Sequence, residues 1–106
     1  MSIACRNLPD LDAIGKSDPY CILYAKAEKD IKWTRMGRTE TIAESLDPNF
    51  AKIFQINYKF ERNQVIKVEV FDEDSDDDEL IGNCEVFLNK ILTAKNQTYK
   101  DELFIS

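Results

Sequence analysis

Residues 64–74 read Gln-Val-Ile-Lys-Val-Glu-Val-Phe-Asp-Glu-Asp. Ile66, Val68 and Val70 alternate with Lys67 and Glu69. A β-strand sends successive side chains to opposite faces, so this period of two puts the apolar residues on one face and the charges on the other. Helical periodicity would not segregate them. Asp72 and Asp74 close the stretch and, two residues apart at a strand end, point the same way. The stretch predicts a half-buried strand that ends in paired carboxylates.

The pattern extends in both directions. Phe54, Ile56, Tyr58 and Phe60 alternate with Gln55, Asn57 and Lys59, and Tyr20 to Ala25 is a compact run of strand formers. Turn chemistry separates these runs at Leu8-Pro9-Asp10, Gly15 to Pro19, Asp47-Pro48-Asn49 and Asp72 to Asp78. Strands are expected near 2–7, 20–26, 34–42, 51–58, 65–71, 81–87 and 98–105, with a polar hairpin loop over Lys26 to Lys32. Short strands at this spacing predict an all-β antiparallel sandwich. Only Leu88 to Ala94 has room for a helical turn. Trp33, at the end of the hairpin loop, is left open between packed and exposed.

With 106 residues the chain fits one domain, 1–106, able to bury a single core without metal or disulfide staples. No run approaches the ~20 apolar residues that span a bilayer, and Met1 to Asp10 lacks the pattern of a secretory leader. Cys5, Cys21 and Cys84 are odd in number, lack metal-type spacing and sit in apolar runs, so reduced core thiols in a cytosolic protein are expected. Asn96-Gln97-Thr98 matches a glycosylation acceptor, which the same reading treats as a chance match in a polar loop.

Net charge is −6, which argues against nucleic acid as a partner. The acids are concentrated. Asp72 to Glu79 holds seven in eight positions, and Asp10, Asp12 and Asp18 form a second group. Calcium is a hard cation taking six to eight oxygen ligands, mainly carboxylates and carbonyls. A solvated acidic loop is the plain alternative for residues 72–79 alone. Asp18, however, precedes Pro19, which forces an extended backbone, and in a sandwich the loops after the first and fifth strands can share one end. Carboxylates gathered there repel unless a cation lies between them.

These residues carry a resemblance. Leu8 to Tyr20, containing Asp12-Ala13-Ile14-Gly15-Lys16-Ser17-Asp18-Pro19-Tyr20, resembles the first calcium loop of a C2 domain. Leu46-Asp47-Pro48-Asn49-Phe50 resembles the second, and Val70-Phe71-Asp72-Glu73-Asp74 with Leu80-Ile81-Gly82 the third. Within that family, Gly37-Arg38-Thr39-Glu40 and Tyr58-Lys59-Phe60-Glu61 are similar to the first C2 domain of copines. The resemblance implies an eight-stranded antiparallel Greek-key sandwich, here expected to lack one edge strand as a fragment of a larger protein. It implies a calcium site of Asp12, Asp18, Asp72 and Asp74, completed by Asp78 or Glu79. The family usually places aspartate three residues before the glycine, where Glu79 stands.

A reversible membrane-targeting module is then expected, cytoplasmic and peripheral to membranes when calcium is bound. Five ligand acids repel anionic phospholipid, and two calcium ions nearly cancel them. Ile14 is the candidate for insertion, with packing onto the sandwich end as its alternative. The tip Ser75-Asp76-Asp77 is too polar to insert. Lys26, Lys29, Lys32, Arg35 and Arg38 form a basic run interrupted by Glu28, Asp30 and Glu40, read as a solvated hairpin. An EF-hand fails, because Asp77 and Asn83 stand where its glycine and final glutamate belong. Catalysis is not expected, since the chain has no histidine and no Gly-rich phosphate loop. The competing function is a calcium-independent protein-interaction module on the same fold.

Overall fold

The alternating apolar rows meet between two sheets in the computed structural model, which describes residues 2–6, 8, 18–54, 64–74, 77–87 and 102–105. Seven strands lie among them: β1 (Ser2–Cys5), β2 (Pro19–Ala27), β3 (Thr34–Arg38), β4 (Asn49–Ile53), β5 (Gln64–Asp72), β6 (Glu79–Phe87) and β7 (Glu102–Ile105). One sheet has the order β4-β1-β7 and the other β3-β2-β5-β6. The expected all-β sandwich is present, with no helix among the described residues. The segment 88–94, the acceptor triplet 96–98 and the alternating residues 55–60 lie outside them.

The strand register explains the core. Cys21 pairs with Val70, Leu23 with Val68 and Ala25 with Ile66, so these side chains share the inner face of the β2–β5 ladder. Ile3 and Cys5 of β1, Phe50 of β4 and Phe54 close on them from the other sheet. Each fully buried Leu, Ile or Val contributes about 1.5–3 kcal/mol relative to exposure. Cys5 and Cys21 are buried, Cys84 is half-buried, and all three are free thiols, as expected. Half-buried Trp33 lies under two lysines, with the Lys26 and Lys67 ammonium groups 5.0 and 4.7 Å from its ring.

Two features depart from the sequence reading. Four of the five strand pairings among the described residues are antiparallel, as expected, but β1 and β7 pair in parallel. A parallel pair requires a long connection, and here the intervening chain supplies it. Strand β3 stops at Arg38 rather than at 42. Beyond it Thr39 takes over the ladder: its N–H donates to Cys21 C=O at 2.9 Å, and its Oγ1 accepts from Cys21 N–H at 2.8 Å.

Strand direction sets the position of the acids. Pro19 at the start of β2 pairs with Asp72 at the end of β5, which pairs with Glu79 at the start of β6. The Ile42 N–H bonds Pro19 C=O, bringing the segment after β3 to the same end.

Candidate metal centre

Asp72 belongs to the inner-face row Ile66, Val68, Val70, Asp72. It is 2% exposed, the continuation of an apolar row by a carboxylate. Burying an ionisable group is costly without hydrogen bonds or an opposite charge. Its Oδ1 accepts the Asp18 N–H at 2.9 Å, and the Glu73 N–H returns a bond to Asp18 C=O at 2.9 Å. These reciprocal bonds fasten the entry of β2 to the exit of β5. Asp18 Oδ1 in turn accepts the Glu44 N–H at 2.7 Å. Glu44 has φ +50°, a left-handed conformation unusual for a side-chain-bearing residue, and that backbone delivers its amide to the carboxylate. Asp18 and Asp72 therefore meet, each with one oxygen held by a backbone amide and the other outside those bonds.

Asp78 and Glu79 part company. Glu79 stands opposite Asp72 in the β5–β6 ladder, and directly opposed residues face the same side. Asp78 is tied elsewhere: Tyr20 Oη donates to its Oδ2 at 2.5 Å and the Asp74 N–H to its Oδ1 at 3.0 Å. Tyr20 pairs with Phe71 on the outer face, where their rings stack with centroids 5.5 Å apart. The Arg38 guanidinium lies 3.7 Å from the Tyr20 ring centroid and 3.9 Å from Glu73. The Tyr20 hydroxyl bond, followed by the Asp74 amide, holds the Asp78 carboxyl below its ordinary value. Burial and the same bond push the Tyr20 phenol up to about 12.

Asp12 and Ile14 lie outside the described residues, as do Gly15, Ser75 and Asp76. Among the described residues no group of three or more His, Cys, Asp or Glu is close enough to hold a metal ion. Asp18 and Asp72 are the two carboxylate residues that the described structure joins, with Glu79 at the adjoining ladder position but not gathered into a three-acid group, and their oxygen chemistry is of the kind a hard cation takes. Sequence reading missed Glu44, Tyr20 and Arg38. Tyr20 had a signal as the last residue of the first-loop motif and Arg38 as a member of the basic run, and the fold divides that run. Arg38 sits beside the acidic loop, whereas Lys26 donates to Asp30 C=O in the hairpin at the far end of β2.

The C2 domain family profile matches residues 1–103. The chain belongs to the C2 domain family. It is 38% identical to Nicotinic receptor-associated protein 1 of Caenorhabditis elegans, over 71% of this chain and 14% of that protein. It is 37% identical to Copine-A of Dictyostelium discoideum, over 92% of this chain and 16% of that one. The C2 domain thus spans a small part of these relatives' length. Among solved structures, the BON1-C2B structure has a TM-score of 0.66 at 24% identity, covering 87% of this chain and 67% of that one. Human GIVD cytosolic phospholipase A2 has a TM-score of 0.67 at 22% identity, covering 86% of this chain and 13% of the enzyme. These two likenesses concern the fold. As a C2 domain the chain is a non-catalytic module of a family that serves in membrane or protein binding. No helix among the described residues is long and apolar enough to cross a membrane.

Proposed function

We propose that this C2 domain binds calcium at the Asp18–Asp72 end of the sandwich and thereby docks reversibly on anionic phospholipid membranes. The observation that carries the reading is the buried Asp72 carboxylate fastened to Asp18 where the inner-face row leaves the core. Asp12, Asp18, Asp72, Asp74 and Glu79 are the proposed ligands, with Glu79 taking the position that Asp78 leaves. Bound calcium supplies positive charge and open coordination positions for lipid phosphate or carboxylate oxygens. Without it the acids of this end repel an anionic surface. The domain is proposed to be cytoplasmic and peripheral to membranes in its loaded form.

Thermal unfolding in chelator, in calcium and in magnesium tests this. Ligand at ~100 times its dissociation constant stabilises the folded state by about 2.7 kcal/mol, or roughly 10 °C for a domain of this size. A calcium-specific rise of that order is expected, abolished by Asp72→Asn and by Asp18→Asn. Calcium-dependent sedimentation with phosphatidylserine vesicles is expected to follow it. An unchanged Tm at millimolar calcium overturns the reading and favours a calcium-independent interaction module, with the acidic loop facing a basic partner.

A further inference from the structure

The bond between Tyr20 and Asp78 is unexplained by either the core or the proposed ligand set. Tyr20 is 5% exposed, gripped by Phe71 and Arg38 on the outer face of the β2–β5 sheet. Its hydroxyl reaches past the end of β5 to the far side of the third loop, 58 positions away in the chain. There it meets a carboxylate whose second oxygen is bonded to the backbone of Asp74. One continuous chain of contacts thus runs from the rigid strand β2 through Asp78 to the Asp74 backbone. Strand β2 begins at Pro19, immediately after Asp18. The Glu73 N–H on Asp18 C=O anchors the loop's first residue to the same strand entry. The third loop is therefore tied to β2 at both its beginning and its end.

We propose that Tyr20 is a positioning residue for the metal centre: through Asp78 it holds the backbone of Asp74 in place relative to Asp18, so that Asp78 acts as a brace rather than as a ligand. The inference rests on the calcium reading above. Chemistry supports the division of labour. A carboxylate that already accepts two hydrogen bonds from groups fixed in the fold gives up both if it turns to a cation, whereas Glu79 gives up neither. A loop held by its own backbone amide loses less freedom when a ligand binds, which tightens binding without any added contact. Tyr20→Phe is the sharpest probe, because phenylalanine keeps the ring that stacks on Phe71 and under Arg38 and removes only the hydroxyl.

Calorimetric calcium titration of the wild-type chain, Tyr20→Phe, Asp78→Ala and the double variant is the test. Each is also followed by amide hydrogen exchange at Asp74 in chelator, which reads the brace with no metal present. Tyr20→Phe is expected to weaken calcium binding about tenfold, the scale of one charge-assisted hydrogen bond, with Tm in chelator nearly unchanged. Asp78→Ala is expected to match it, and the double variant to be no worse than either. Asp74 exchange is expected to speed up in all three. Calcium binding unaltered or tightened in Tyr20→Phe overturns this inference alone, as does a loss in Asp78→Ala far beyond that of Tyr20→Phe, which makes Asp78 a ligand. Unchanged Asp74 exchange overturns it as well. A wild-type chain that binds no calcium overturns the calcium reading and this inference with it.

Discussion

Glu40 joins the two sheets with a single carboxylate. It follows Thr39 just past β3, yet its oxygens accept the N–H groups of Ala51 at 2.6 Å and Lys52 at 3.3 Å in β4. Burial raises the carboxyl's pKa, but the backbone donors outweigh it and the net shift is downward. A depressed carboxyl contributes stability that is present above its unfolded value near ~4.3 and is lost as pH falls through the folded value. Glu40→Gln is expected to cost about 1 kcal/mol at neutral pH and to flatten the loss of Tm between about pH 5 and 3. An acid limb as steep as that of the wild type sinks this account. At this scale the sequence was informative where parity decides. Parity places Asp72 in the inner-face row of Ile66, Val68 and Val70, whereas the sequence left the choice between Asp78 and Glu79 open. What parity could not give is the partner of each side chain. The Tyr20 hydroxyl reaches Asp78 only because β2 and the β5–β6 loop become neighbours in three dimensions.

Among the elements, β5 with its clean alternation was legible and β3 was not, while the strand expected over 51–58 is found at Asn49–Ile53, with 55–58 outside the described residues. Strand β5 has Ile66, Val68, Val70 and Asp72 in register on one face, and its span is close to expectation. In β3 the residues Thr34-Arg35-Met36-Gly37-Arg38 are exposed or half-exposed, so no apolar row marks the strand's limits. Its pairing to β2 also slips between Leu23 and Tyr24, a bulge no local pattern announces. Gly37 sits at that slip with φ +152°, and a Cβ there meets the Phe54 ring carbon Cε1 at 3.2 Å. Glycine serves here because side-chain-bearing residues rarely adopt that backbone and because the sheets approach closely. Gly37→Ala is expected to destabilise by about 1–3 kcal/mol, measured by urea unfolding with unchanged slope. Next to it, Thr39→Val leaves the buried Cys21 N–H without its side-chain acceptor, and a loss of about 1–3 kcal/mol is expected. A Thr39→Val midpoint equal to that of the wild type shows that the amide finds another partner.

Over the whole molecule, charge and fold work against each other at one end. The chain carries −6, and beside the Asp18–Asp72 pair the exposed Glu73, Asp77 and Asp78 add to the acids of the third loop. Arg38 is the described cation that reaches Glu73, at 3.9 Å, and a partly exposed pair at that distance offsets little. On the proposed function, these surplus acids strengthen the pull on a cation but weaken the approach to anionic lipid. The two effects separate at Asp77, which is exposed and takes no part in the proposed ligand set. A charge near an anionic bilayer is worth about 1 kcal/mol. Asp77→Asn is therefore expected to tighten binding to phosphatidylserine vesicles about fivefold at saturating calcium. The gain is expected to shrink as salt rises from 0.1 to 0.5 M, since the Debye length falls well below ~10 Å. The calcium titration without lipid is expected to move the opposite way, to slightly weaker binding. Vesicle affinity that is indifferent to Asp77→Asn at low salt and saturating calcium means that the third loop does not face the bilayer, and places the docking surface elsewhere on the domain.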